Sequence, residues 1–429
     1  RANAPARVNH LGEELSAGID LIETERIRRS IRNPRFRSRV FGEAERSQLA
    51  ARGFPVPSAA ACFCAKEAFS KAVGTGLRAF DLRDVQLLRD EETGRPFLAL
   101  SGTALRLAGG ARFAVSVSHT KDYACAVVAS EEGGPAAPLP DCEGFRTLRA
   151  MLKPRAAESN KGDYGRLLCV CGSEGMAGAA VMSVSAALRC GAGLVEAALP
   201  ASIYPVVAAR LAEPVFTLLH PLPDGSPSAG DAAALSGAVA RSSSVLIGCG
   251  LGKSAAARSE VSAVLRQSSV PVILDADGIN IAAEHINILE ACKAPLVLTP
   301  HPGEMARLLG ATVADVQSRR KEIARSFSAA HGVVLVLKGA GTLVASPDGR
   351  LYRNATGNPG MAKGGSGDVL AGMIASFAAQ GIAPYDAAVG AVYLHGLAGD
   401  RCAMEKSQSA MLPTDLVAML PELFLKIGR

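Results

Sequence analysis

The sequence predicts an α/β protein of two domains: a small α+β unit, then a larger one built on a mostly parallel sheet. Three observations carry this. In the C-terminal two-thirds, short apolar runs alternate with helical stretches, and five of them end in Gly, Asp, His or Lys, as in a parallel sheet with ligands at its strands' carboxyl ends. A Pro/Gly/Ala connector, Glu131 to Pro140, interrupts the hydrophobic patterning, which restarts near Leu148. The charge also divides there. Residues 1–130 carry 20 Lys+Arg against 14 Asp+Glu, and the remainder carries 26 of each. The whole surplus of +6 therefore belongs to the first segment, which suits an acidic partner or a polyphosphate ligand.

The expected boundaries are 12–130 for the first domain, 131–146 for the linker and 147–429 for the second domain. At 48% hydrophobic and 20% charged, the 429 residues suit a globular chain with a sizeable core. No apolar run reaches the length of a membrane span, and the N-terminus lacks a signal-peptide core. The chain begins Arg1-Ala2-Asn3-Ala4 without Met, consistent with a fragment or a processed end. The ten cysteines are scattered without metal-type spacing, so free thiols in a reducing compartment are expected. The expected location is cytoplasmic, with neither nucleic acid nor membrane as partner.

In the first segment, Ser16 to Ile22 reads as a strand with one inward acid, Asp20. An amphipathic helix bearing Arg26, Arg28, Arg29 and Arg32 should follow, and Arg35, Arg37 and Arg39 extend its basic patch. Seven arginines in fourteen residues, with Glu25 the one acid beside them, read as a docking surface or a solvated face. Ala61 to Ala72 is helical by pattern, with Glu67 and Lys71 four apart on one face. That pair reads as a helix-stabilising ion pair, or as a metal ligand beside a phosphate-binding lysine. Val115 to Thr120 and Tyr123 to Val128 are strands, the first ending at His119.

The order G-I-D-L-I-E, A-K-E-A-F-S-K-A-x-G-T-G and V-S-x-S-H-T-K-D-Y-A resembles the holo-acyl-carrier-protein synthases, small phosphopantetheinyl transferases, over about residues 16–130. The resemblance implies that Asp20 and Glu67 bind Mg2+, that Lys71 faces the phosphates of coenzyme A, and that His119 lies by its nucleotide. Glu67 and Lys71 would be catalytic. A serine of acyl carrier protein would attack the β-phosphate, docked on Arg26 and Arg29. One departure is Cys62, where the family usually has Arg.

In the second segment, Arg166 to Cys171, Gly193 to Ala198, Ser244 to Ile247, Val270 to Leu274, Pro295 to Leu298 and Val333 to Leu337 read as strands. The last four run into Gly248-Cys249-Gly250, Asp275-Ala276-Asp277, Thr299-Pro300-His301 and Lys338-Gly339-Ala340-Gly341-Thr342. A small-residue helix is expected from Gly178 to Cys190. The stretch Asn358 to Asp368 packs four glycines near one carboxylate, and a helix should begin near Gly367. Glycines admit a phosphate close to the backbone, a helix start offers free N–H groups, and Asp368 stands where a base could act. The bland reading is a Gly-rich turn with Asp as a cap. There is no Walker A motif and no G-x-G-x-x-G at the first βα turn.

G-G-S-G-D before a helix looks like the ribokinase-like α/β/α fold. K-G-D-Y-G, G-x-G-L-G, L-D-A-D, T-P-H-P-G-E, L-K-G-A-G-T, T-G-N-P-G-M-A-K-G-G-S-G-D-V-L-A-G and Y-L-H-G-L-A-G-D together resemble the ADP-dependent NAD(P)H-hydrate dehydratases, over residues 147–429. The resemblance implies repair of the S-form of NADH or NADPH hydrate, which carries a hydroxyl at C6 of the ring. Asp368 would take its proton while ADP or ATP donates a phosphoryl group, and the ring nitrogen lone pair would then expel phosphate. Ala179, Gly250, His301 and Asp368 would contact the hydrate. Lys338, Gly339, Ala340, Gly341 and Thr342, with Gly365, Ser366 and Gly367, would contact the nucleotide. His301, between two prolines, suits a ligand role. The family commonly has His where Asn160 stands and Pro where Cys249 stands, positions expected to lie off the chemistry.

The leading reading is a bifunctional enzyme needing Mg2+, ADP or ATP, and CoA. The alternative is a small-molecule kinase of the same fold with a degenerate, non-catalytic N-terminal interaction domain. A homo-oligomer is expected, although the trimers of one family and the tetramers of the other do not match in symmetry.

Overall fold

The structure, a computed structural model, describes residues 16–90, 93–108, 111, 113–130 and 142–428. The expected domain start at residue 12 and most of the expected linker lie outside them. Contacts divide the chain into two compact units, Arg1–Pro140 and Asp141–Arg429.

Among the described residues, the first unit has five strands: β1 Ala17–Glu23, β2 Val85–Arg89, β3 Pro96–Leu100, β4 Phe113–His119 and β5 Tyr123–Ser130. β1, β5 and β4 form an antiparallel sheet in that order, and β2 pairs with β3. Along β5, Ala124, Ala126 and Val128 point into the core, while Tyr123 and Val127 point out, the period-two alternation of a half-buried strand. The covered face packs on helix Val56–Ala72, whose Ala61, Ala65, Ala68, Phe69 and Ala72 are buried.

The arginine-rich stretch is two short helices, Thr24–Ser30 and Pro34–Val40, instead of one continuous face. Asn33 and Pro34 explain the break. Asn33 accepts from the Arg35 N–H at 2.9 Å, and Pro34 occupies the first turn. Arg37 donates to the Ile31 carbonyl at 2.5 Å and stacks over Phe54. Arg28 and Arg29 pair with Glu25, and Arg26 is exposed.

Among the described residues, the second unit holds nine strands: β6 Arg166–Val170, β7 Leu194–Pro200, β8 Val215–Leu219, β9 Ser244–Ile247, β10 Val272–Leu274, β11 Leu296–Leu298, β12 Val334–Leu337, β13 Leu343–Ala345 and β14 Leu351–Arg353. Their order is β14-β13-β12-β11-β10-β9-β6-β7-β8. From β8 to β12 all neighbours are parallel, and β13 and β14 add an antiparallel hairpin. β6, β9, β10, β11 and β12 are short and almost wholly buried, which is why they read as continuous apolar runs. The chain runs from β6 outward to β8, then returns to the other side of β6 as β9. That reversal opens a crevice at the carboxyl ends of β6 and β9, the usual ligand position in open α/β sheets.

Helix Glu143–Met151 packs against the long helix Pro384–Ala410, so the end of the stretch expected as linker is helical and belongs to the second unit. Among the described residues the cysteines are all free, and no helix is long and apolar enough to cross a membrane.

Candidate functional site

The loops after β6 and β9 are tied across the crevice. The Gly172 N–H donates to the Cys249 carbonyl at 2.9 Å, and the Ser173 hydroxyl to the Gly250 carbonyl at 2.8 Å. Asp277 accepts from the Gly252 N–H at 2.8 Å. Gly250 has φ +59°, and a Cβ there would lie 2.6 Å from that of Ala179. These two predicted hydrate contacts therefore face each other, and only glycine leaves the space.

Asp275, at the end of β10, is 1% exposed. Its Oδ1 accepts from the Lys338 ammonium at 2.8 Å and from the Thr299 hydroxyl at 2.5 Å, while the Cys249 thiol lies 3.5 Å from Oδ2. Burial pulls the Lys338 pKa down, but Asp275 and Glu304 outweigh it and hold the value above the ordinary range. A side-chain carbon on Gly367 would lie 3.1 Å from the same ammonium. Gly367 and Asp368 fall in the first turn of helix Ser366–Ala379, entered through the left-handed Gly365. Among the described residues their N–H groups take no backbone partner. Free N–H groups, a helix dipole and an ammonium thus converge on one spot, a seat for an anion.

Burial, with the nearby charge of Asp275, raises the Asp368 carboxyl to about 7, while a hydrogen bond from Cys249 and the charge of Lys338 act in the opposite direction. A carboxyl poised near neutrality beside an anion seat can take a proton from a hydroxyl. Cys249, Asp275 and Asp368 each place one ligand atom within 4.8 Å of the others.

Cys249, expected to lie off the chemistry, stands beside Asp275 and Asp368. The pattern gave no warning because the thiol reaches Asp275 and Asp368 from other elements. Asp275 and Thr299 were also missed as site residues, though both stand at strand ends in L-D-A-D and T-P-H-P-G-E. Asn160 caps the turn Lys161–Tyr164. His301 is the cap of helix Pro302–Leu309. Its Nδ1 accepts from the Gly303 and Glu304 N–H groups at 2.9 and 3.3 Å, and the Glu304 carboxylate accepts the His301 N–H at 2.8 Å. The loop Lys338–Thr342 is a closed turn: the Thr342 hydroxyl donates to the Gly339 carbonyl, and the Asn354 N–H to the Thr342 carbonyl. Ala340 is exposed between them.

In the first unit, Lys71 reaches across to β1. Its ammonium lies 2.8 Å from Asp20 Oδ1 and 3.0 Å from the Ile19 carbonyl, so it serves Asp20 instead of making the helical pair with Glu67. Burial and then Asp20 push the Glu67 carboxyl up, while Lys71 and Arg26 pull it down. Four predicted residues are thereby neighbours. His119 stands at the exposed end of β4, opposite Ala124. Cys62 is buried against the Glu45–Lys66 ion pair, which spans 2.7 Å in the core. It occupies an interior position.

Residues 167–422 match the sequence model of the NAD(P)H-hydrate dehydratase family. The chain belongs to that family. Residues 16–128 of this dehydratase-family chain match the 4'-phosphopantetheinyl transferase superfamily. The chain is 45% identical over 273 residues to the bifunctional NAD(P)H-hydrate repair enzyme Nnr of Moorella thermoacetica, which covers 64% of this chain and 52% of that protein. It is 42% identical over 254 residues to the ADP-dependent (S)-NAD(P)H-hydrate dehydratase of Neisseria meningitidis serogroup B, covering 58% and 81%. The chain thus spans about half the length of the Moorella relative. Among solved structures, the ADP/ATP-dependent NAD(P)H-hydrate dehydratase of Bacillus subtilis, co-crystallised with ATP/Mg2+, superposes with a TM-score of 0.55 at 31% identity, covering 66% of this chain and 97% of that one. A ribokinase-like superfamily protein of Enterococcus faecalis gives 0.58 at 29% identity, covering 67% and 98%.

Proposed function

We propose that the second unit dehydrates the S-form of NADH or NADPH hydrate at the expense of ADP or ATP. The observation that carries this is Asp368, held near neutrality in the first turn of a helix whose free N–H groups face the Lys338 ammonium. Asp368 takes the proton of the C6 hydroxyl as that oxygen attacks the terminal phosphorus of the nucleotide. Lys338 and the N–H groups of Gly367 and Asp368 hold the charge on the transferring oxygens. Phosphate is then a far better leaving group than hydroxide. The ring nitrogen lone pair expels it, and loss of a proton from the neighbouring ring carbon restores the C=C bond. Ala179, Gly250 and His301 bound the hydrate, and Lys338 to Thr342 contact the nucleotide.

The first unit transfers phosphopantetheine from CoA to a serine of acyl carrier protein. Asp20 and Glu67 fit a divalent cation, because two carboxylates close enough for one to raise the other's pKa gain from a shared positive charge. Mg2+ held by Asp20 and Glu67 would supply positive charge against the diphosphate of CoA. Lys71 orients the same phosphates, and the exposed Arg26 meets the acidic carrier.

Incubation with hydrated NADH and ADP tests the main assignment. Return of reduced-nicotinamide absorbance with stoichiometric phosphate is expected, whereas a stable phosphorylated product would identify a small-molecule kinase instead.

A further inference from the structure

The loop Lys338–Thr342 is flanked by two guanidinium groups that the reaction above does not use. Arg320 opens helix Arg320–His331. Its Nη2 donates to the carbonyls of Leu337 at 3.1 Å and Gly341 at 3.5 Å, and its Nη1 to Gln317 Oε1 at 3.3 Å. These bonds fix the half-buried group against the loop. Arg353 arrives from the other side: the β13–β14 register pairs Leu343 with Arg353 and so returns it, exposed, to the loop's end. A Cβ on Gly339 would lie 2.5 Å from Arg320 Nη1, and one on Gly341 would lie 2.8 Å from Arg353 Nε. Glycine at both positions leaves each guanidinium its room.

Among the described residues neither arginine forms an ion pair with a carboxylate. Nearby Arg350, by contrast, pairs with Asp348 at 2.8 Å. The acceptors of Arg320 are neutral oxygens. Burial lowers its pKa, and the charge of Arg353 lowers it further. Two guanidiniums held together without an acid repel each other, and an anion between them relieves the repulsion. Guanidinium forks match phosphate oxygens two at a time.

We infer that Arg320 and Arg353 form a seat for a phosphate group of the bound nucleotide other than the one transferred at Asp368. The inference rests on the nucleotide assignment of the loop made above. Arg320 is immobilised and sets the position, and Arg353 closes on the ligand from the surface. The phosphate is either the one joined to the ribose or the middle phosphate of a triphosphate.

Calorimetric titration of the full chain with AMP, ADP and ATP decides, comparing wild type, Arg353→Gln and Arg353→Lys. Arg353→Gln should melt like wild type and bind phosphate-bearing nucleotide about tenfold more weakly, and Arg353→Lys should recover part of the loss. A loss for AMP, ADP and ATP alike assigns the ribose-linked phosphate, and a loss confined to ATP assigns the middle one. Unchanged affinities for all three, or no nucleotide binding by wild type, would overturn the seat. Hydrate turnover by wild type is measured alongside. An active wild type with unaltered Arg353→Gln binding overturns the seat alone, whereas a wild type that binds nucleotide but leaves the hydrate intact overturns the dehydratase reading.

Discussion

The ammonium of Lys338 lies 2.8 Å from Asp275 Oδ1, and the same nitrogen borders Gly367 at the start of the helix that carries Asp368. One cation therefore answers two demands. It compensates a carboxylate that is almost wholly buried, and it faces the spot where the helix start would receive a phosphoryl group. Asp275 is in turn what keeps the lysine charged against the cost of burial.

Replacing Lys338 with Met removes the compensating charge while Asp275 stays inside. The variant should lose roughly 3–5 kcal/mol of stability and about 10²–10³-fold in kcat. Denaturant unfolding and steady-state kinetics read these separately. Wild-type stability in the variant would show that Asp275 does not depend on the lysine.

With Asp368 near 7, the base form predominates only above neutrality. Activity should rise with pH through about 7 and level off above it. The stability effect has the opposite sense. Between the ordinary carboxyl value of 3.8 and about 7, the folded chain holds a proton that the unfolded chain releases. Stability from this group is therefore full below 3.8 and is lost as pH rises through about 7. Asp368→Asn should consequently melt higher than wild type by a few degrees at pH 8 and by much less at pH 4, measured by thermal melts across pH.

The Cys249 thiol helps hold the Asp368 pKa down. In Cys249→Ala that bond is gone, so the rising limb of the pH–rate profile should move to higher pH. Activity at pH 7 should fall ~2-fold or more while the high-pH plateau is kept. A uniform loss at every pH would instead point to a packing defect.

Asp20 and Glu67 belong to the first unit, and the residues proposed to act on the hydrate lie in the second. Asp20→Ala should cut phosphopantetheine transfer to an apo carrier protein by about 10²-fold or more, with hydrate repair by the same preparation unchanged. Equal transfer by Asp20→Ala would remove Asp20 from the chemistry.

Much of this architecture is legible in the sequence because a buried parallel strand is a short apolar run that must stop at a turn. β6, β9, β10, β11 and β12 all announce themselves that way, and the glycines before Asp368 mark a helix start. What stays hidden depends on partners distant in sequence. Asp275 and Lys338 are 63 residues apart, and nothing local to either shows that they pair. Lys71 looks like the helical partner of Glu67 until β1 brings Asp20 closer. Asn33-Pro34, a cap followed by a first-turn proline, marks in the sequence the break between the two arginine-bearing helices. His301 shows how a residue read as a ligand can also hold its own helix, through Nδ1.

The most direct measurement is a time course of hydrated NADH with ADP, following absorbance of the reduced nicotinamide and free phosphate together, in wild type and Asp368→Asn. The account predicts that both signals rise in step in wild type and that both fall by several orders of magnitude in a folded Asp368→Asn. Comparable rates in the two proteins, or absorbance returning without phosphate, would contradict it.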